Sequence, residues 1–134
     1  MSRRKARVMA LQALFQLDFN QTDQDQALGG VFAESETVTD SVKSYATLLV
    51  QGTREHMEQI DVVISKAAID WKLDRMAGID RNITRMAIYE MRFGAESLAP
   101  NVVINEAVEL AKSFGTAESG RFINGILGSL IKKR

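Results

Sequence analysis

A chain of 134 residues, 46% hydrophobic and 25% charged, is long enough to bury one core and too short for two. The absence of cysteine excludes disulfides, thiol nucleophiles and cysteine-ligated metals. No apolar run reaches the length of a membrane span, and Gln12, Gln16 and Asp18 interrupt the apolar part of the N-terminal stretch. We therefore expect a cytoplasmic protein without a secretion signal.

The charges are unevenly distributed, although 17 basic residues balance 17 acidic ones. Four basic residues and no acid lie in residues 1–17, and the same holds for residues 119–134. The 101 residues between them are acidic, with nine basic and 17 acidic residues. If the two ends meet in space, they form one basic face on an acidic body. The alternative is that the basic start is only the solvated beginning of a core helix.

The spacing of apolar residues predicts helices through the first half of the chain. The first helix is expected from Arg3 to Asp18 and mostly buried, with Arg4, Val8 and Phe15 on one side. The next helices are expected from Asp23 to Phe32, from Thr39 to about Gly52, and over Met57 to Ala67, with a break near residues 53–56.

The stretch IDRNITRMAIYEMRF, which Asp80 opens, predicts a helix with one charged residue on its inner face. Arg85 and Arg92 are expected to face outward, whereas Glu90 falls among the inward-facing residues. An unpaired buried carboxylate is costly, so Glu90 should pair with an arginine. The two interpretations are a structural ion pair, which we favour, and a functional acid.

Residues 101–127 predict two helices separated at Gly115, the first of them opened by Pro100. The apolar stripe from Ile104 to Phe114 is expected to face the core, and Gly115 is expected to end this helix in the left-handed conformation. Phe122 lies at the margin of the apolar stripe of the last helix and should be partly exposed. Because no segment alternates like a strand, an all-α fold is expected.

The sequence offers little for catalysis or metal binding. The single histidine, His56, has no cysteine or second histidine to complete a zinc site. The string GTAESGRF has the glycine spacing of a phosphate-binding loop, but Arg121 and Phe122 stand where lysine and serine or threonine are needed. We therefore expect no catalytic residue, no metal, no cofactor and no enzymatic activity.

Three stretches of the chain are distinctive: SRRKARVMALQALFQLD, IDRNITRMAIYEM and INEAVELAKSFGTAESGRFINGIL. All three resemble the family of bacterial transcription antitermination factors called NusB. The resemblance covers nearly the full chain and occurs in the family's order and spacing, while Asn20 to Asp40 carries little of it.

This resemblance implies an all-α fold of about seven helices, forming two small helical bundles packed as a single RNA-binding domain over residues 1–134. It also implies a heterodimer with NusE, the small-subunit ribosomal protein that serves as an elongation factor. The pair binds the single-stranded boxA element of nascent ribosomal RNA transcripts and reaches RNA polymerase through other Nus factors. Because some relatives dimerise, a homodimer covering the same face is also implied. The rival interpretation is a helical protein–protein adaptor without RNA binding.

The resemblance also implies which residues contact RNA and which face NusE. The positions that match the family's RNA contacts are Arg3, Arg4, Lys5, Arg7, Gln12, Phe15, Glu118, Arg121, Phe122 and Asn124. Phe15 replaces a frequent tyrosine and keeps its stacking surface, and the acidic Glu118 is expected to weaken phosphate contact. The positions that match the surface facing NusE are Asp74, Arg75, Asp80 and Arg81.

Overall fold

The computed structural model describes residues 3–68, 76–94 and 98–132. Within these ranges the chain forms seven α-helices and no strand, as the sequence predicted. The helices are α1 (Arg3–Phe19), α2 (Gln24–Ala33), α3 (Asp40–Glu55), α4 (Met57–Ala67), α5 (Gly78–Ile88), α6 (Pro100–Phe114) and α7 (Ser119–Lys132). A π-helical turn, Tyr89–Phe93, extends α5.

The helix starts follow the local signals that the sequence contains. The side chains of Asp23 and Thr39 accept hydrogen bonds from the backbone N–H groups of Gln26 and Val42, which caps α2 and α3. Pro100 occupies the first turn of α6, where its missing N–H group costs nothing. The break between α3 and α4 lies at His56, at the end of the predicted interval.

Helix α1 is the most extensively packed helix of the N-terminal half. It packs against α2, α3 and α5, and its small residues Ala6, Ala10 and Ala13 are fully buried at these contacts. Helices α1, α2 and α3 form one group, and α4, α5, α6 and α7 form a second group in which α6 and α7 pack side by side. Helix α5 also contacts α1 and α3 of the first group, so it joins the two groups.

Three details differ from the sequence-based expectation. Arg85 does not face solvent; it is buried, and its Nε donates to Asp61 Oδ1 at 2.8 Å. Gly115 is extended, with φ −100° and ψ −162°, rather than left-handed. Glycine is needed there for space, because a Cβ atom would collide with the Ser119 side chain. Phe114 is 40% exposed, since it lies at the end of α6 beyond the buried stripe.

Candidate functional site

The four basic side chains at the start of α1 do not form one patch. The Arg3 guanidinium carbon lies 4.8 Å from the centre of the Tyr45 ring on α3. Lys5 Nζ donates to Thr37 Oγ1 at 3.2 Å, in the loop before α3. Arg4 reaches α6, and Arg7 points into the core. Successive helical side chains diverge by about 100°, so neighbours in the sequence separate in space.

Arg7 is a structural residue. It is only 4% exposed, and its Nε and Nη2 donate to the two carboxylate oxygens of Glu90 at 2.8 and 2.9 Å. The Tyr45 hydroxyl donates to Glu90 Oε2 at 2.5 Å. The expected ion pair of Glu90 is therefore present. The Arg7 guanidinium, predicted as an RNA contact, is enclosed by this pair and not exposed at the surface.

The pKa shifts in this cluster follow from burial and pairing. Burial opposes the charge on Arg7, but the hydrogen-bonded carboxylate of Glu90 raises the Arg7 pKa above its usual value. Burial and the same carboxylate raise the pKa of Tyr45, so its hydroxyl remains a donor. The cluster is thus a charged pair with a neutral donor, which fixes α1 against α3 and the π-helical turn.

Arg4 makes a second arginine–carboxylate pair, at the surface. Its Nε and Nη2 donate to Glu106 Oε1 and Oε2 at 3.2 and 2.6 Å, and its side chain is 64% exposed. The hydrogen bond to Glu106 raises the pKa of Arg4, and the same bond lowers the pKa of Glu106. Both groups are therefore charged at neutral pH.

One exposed stripe runs along α1 from this pair. Arg4, Gln12 and Phe15 lie within about 80° of one another around the helix, and the half-buried Val8 lies between them. Arg4 and Phe15 are about 16 Å apart along the helix axis. Phe19 continues the stripe, its ring centre 4.7 Å from that of Phe15. The stripe thus combines one cation with flat aromatic surfaces.

A cleft of about 260 Å³ opens beside the aromatic end of this stripe. Phe15 and Phe114 line it from α1 and α6, and Gln12, Gln16 and Glu34 add polar groups. Sequence reasoning missed Phe114 because its spacing continues the apolar stripe of α6. The signal that could have found it is the position of Phe114 directly before Gly115, where the helix ends.

The start of α7 forms a second cavity, of about 570 Å³, against α6. Arg121 and Asn124 line it together with Lys112 and Glu109. Glu118 is exposed in the preceding turn. Phe122 is half-buried against the core and is not among the cavity residues, which confirms the partial exposure predicted for it.

The exposed face of α6 lies between the Arg4–Glu106 pair and the cavity at the start of α7. Glu106 holds Arg4, and Glu109, one turn further, pairs with Lys112 at a distance of 3.5 Å. Lys112 and Arg121 then line the same cavity. The basic start of α1 and the start of α7 are therefore linked across α6. Lys133 and Arg134 lie outside the described residues, so the meeting of the two basic ends stays a prediction.

The expected partner surface adjoins the aromatic cleft. Asp80 and Arg81 lie in the first turn of α5, and Arg81 Nη2 is 3.5 Å from Asp18 Oδ2 on α1. Ile79, in the first turn of α5, lines the same cleft as Phe15, so the start of α5 adjoins the aromatic end of the stripe. Asp74 and Arg75 lie outside the described residues.

Other kinds of site find no support in the described ranges 3–68, 76–94 and 98–132. No group of three or more histidine, cysteine, aspartate or glutamate residues there could hold a metal ion. None of the helices in those ranges has the length and apolarity needed to cross a bilayer.

Comparison with known proteins agrees with the resemblance seen in the sequence. The NusB family model matches residues 4–132. The transcription antitermination protein NusB of Desulforamulus reducens is 48% identical over 134 residues, covering 100% of this chain and 92% of that protein.

Two solved structures extend this comparison to the fold. NusB of T. maritima aligns with a TM-score of 0.89 and 36% identity, over 100% of this chain and 93% of that one. A chain from a crystal structure of antitermination factors NusB and NusE in complex with dsRNA aligns with a TM-score of 0.85 and 27% identity, over 98% of this chain and 97% of that one. This chain belongs to the NusB family.

Proposed function

We propose that this chain is a transcription antitermination factor that binds the single-stranded boxA element of nascent ribosomal RNA transcripts as a heterodimer with NusE. The observation that carries this proposal is the exposed stripe of α1, which places the Arg4 cation and the Phe15 ring on one face. Single-stranded RNA is held by cations on its phosphates and by flat side chains under its bases.

The proposed RNA path follows α1 and crosses to the start of α7. Bases would stack on Phe15 at the mouth of the cleft that Phe114 also lines, with Gln12 and Gln16 as hydrogen-bonding groups. Arg121 and Asn124 extend the path from the cavity between α6 and α7, and Phe122 offers its exposed edge. Arg7 contributes indirectly, by fixing the helix that carries the stripe.

The partner surface is proposed at the start of α5, around Asp80 and Arg81. Ile79 of this segment lines the cleft beside Phe15, so a protein bound there would adjoin the RNA path. Such a neighbour would extend the surface available to the RNA and tighten its binding. The wider role, contact with RNA polymerase through other Nus factors in the bacterial cytoplasm, belongs to the same proposal. A homodimer that covers the RNA-binding face when RNA is absent is also part of this proposal.

The test is a titration of fluorescently labelled boxA RNA with the full chain, in the presence and absence of NusE, followed by anisotropy. We expect weak binding by the chain alone and a clear gain when NusE is added. No gain from NusE would contradict the heterodimer. NusE binding without any RNA binding would instead establish the helical protein–protein adaptor.

A surface variant locates the RNA. Phe122→Asp should lower RNA affinity because it replaces a ring edge with a charge that repels phosphate. Because Phe122 also packs against the core, the melting temperature should fall as well, so RNA affinity is measured well below the unfolding midpoint with the helical circular-dichroism signal intact. An RNA affinity equal to that of the unmodified chain would remove Phe122 from the proposed RNA path.

A further inference from the structure

The Arg4 guanidinium is already occupied by an anion of this chain. Glu106 accepts from Arg4 Nε and Nη2 with both of its carboxylate oxygens, at 3.2 and 2.6 Å. Two parallel N–H groups of this kind are also the donors with which arginine binds a phosphate. A phosphate that approaches Arg4 in this way therefore meets a carboxylate in its place.

Glu106 cannot easily turn away, because a second arginine holds it from the core side. Arg7 Nη1 lies 3.5 Å from Glu106 Oε1, and Arg7 is itself fixed by both oxygens of Glu90. The Glu106 side chain is 19% exposed, compared with 64% for Arg4. The carboxylate is thus the more enclosed member of the surface pair, and the arginine is the more exposed one.

The charges around Arg4 and Glu106 also limit the positive charge that an RNA phosphate meets there. Glu109 lies one turn along α6, and its charge is among those that raise the pKa of Arg4. Glu109 pairs with Lys112 at 3.5 Å, whereas Glu106 faces two arginines. Arg7 is already matched by Glu90, so the charge of Arg4 is matched by Glu106. The exposed end of this network therefore offers little net positive charge to an RNA strand.

We propose that Glu106 competes with RNA phosphate for the Arg4 guanidinium, and so sets how strongly the basic start of α1 contributes to RNA binding. This inference rests on the proposed function and assigns a role to a residue outside the expected RNA contacts. RNA gains Arg4 only by displacing the carboxylate, which lowers the affinity of the chain alone. A partner that brings the RNA onto the stripe supplies the rest of the binding energy.

The test compares two isosteric charge removals on α6, Glu106→Gln and the matched control Glu109→Gln. Each is measured by boxA RNA anisotropy at several salt concentrations, in the Arg4 and the Arg4→Ala backgrounds. Glu106→Gln should raise RNA affinity by about two- to fivefold, since an exposed ion pair no longer has to be broken. The slope of log affinity against log salt should steepen by about 0.7, as for one further phosphate contact on a single strand.

Glu109→Gln makes the same change in net charge but releases Lys112 instead of Arg4. Any gain from Glu109→Gln should therefore remain in the Arg4→Ala background, whereas the gain from Glu106→Gln should disappear there. A gain from Glu106→Gln that persists without Arg4 would overturn the proposal in favour of general electrostatics. A loss of affinity in Glu106→Gln would also overturn it, because Glu106 would then be positioning Arg4 for RNA.

A second variant covers a failure of Glu106→Gln to fold, which its melting temperature would reveal. Glu106→Asp keeps the charge near Arg7 but shortens the side chain, so it should raise RNA affinity less than Glu106→Gln does, and this gain should also disappear in the Arg4→Ala background. Affinity unchanged from the unmodified chain would contradict competition. Absence of RNA binding by the unmodified chain with NusE would be a different result, the failure of the proposed function itself.

Discussion

Arg4 and Arg7 lie three residues apart on α1, and each pairs with a carboxylate through Nε and Nη2. Arg7 is 4% exposed and its partner Glu90 comes from the π-helical turn after α5, whereas Arg4 is largely exposed and its partner comes from α6. The same residue type in the same motif therefore does two jobs. Arg7 fixes the helix in the core, and Arg4 is the proposed contact for RNA phosphate.

The largest expected effect is on stability, from the buried arginine. Arg7→Met leaves the Glu90 carboxylate enclosed without its counter-charge, so the free energy of unfolding should fall by about 3–5 kcal/mol in urea denaturation. In the double variant Arg7→Met with Glu90→Leu, much of this loss should return, because no buried charge remains unpaired.

The matched control for this experiment is Arg4→Met, which should leave the urea midpoint close to that of the unmodified chain. A loss from Arg4→Met as large as that from Arg7→Met would remove the distinction between the two arginines.

A smaller effect is expected from the hydroxyl that supports Glu90. Tyr45→Phe removes one hydrogen bond to a charged group and should cost about 1.5–3 kcal/mol of unfolding free energy. It keeps the ring on which Arg3 packs, so RNA anisotropy measured well below the unfolding midpoint should be unchanged. An RNA affinity that falls in proportion to stability would show that the buried pair and the exposed stripe are not separable.

Substitutions on the exposed stripe of α1 should change RNA affinity more than they change stability. Phe15→Ala removes the ring that is 37% exposed on the stripe, and RNA affinity should fall by about 1–3 kcal/mol for one stacked base. Leu48→Ala is the control, because Leu48 is similarly exposed, at 43%, but lies on α3 outside the stripe. Equal RNA affinities for the two variants would place the RNA elsewhere.

Much of the fold could be predicted because local signals and tertiary structure agree. The caps at Asp23 and Thr39, the proline that begins α6 and the pairing of Glu90 all follow from short-range chemistry or from the cost of burying a charge. The conformation of Gly115 differed from the prediction because a glycine after a helix can allow either a left-handed turn or a close contact. The position of Ser119, which the sequence does not give, decides between them.

The site was less predictable, for a geometric reason. The cluster Arg3, Arg4, Lys5 and Arg7 is compact in sequence, but a helix turns its members toward α3, α6, the loop before α3 and the core. Periodicity placed Arg4 with Phe15, as observed. It could not name the carboxylates that would meet each arginine, because Glu90 and Glu106 are 83 and 102 residues away in the chain.

The most direct test of this account is a nitrogen–proton spectrum of the arginine Nε–H groups, recorded while boxA RNA is added to the isotope-labelled chain with NusE. We expect the Arg4 and Arg121 signals to move and the Arg7 signal to stay in place, because Arg7 remains bound to Glu90. A large shift of the Arg7 signal with an unmoved Arg4 signal would contradict the division of labour between the two arginines.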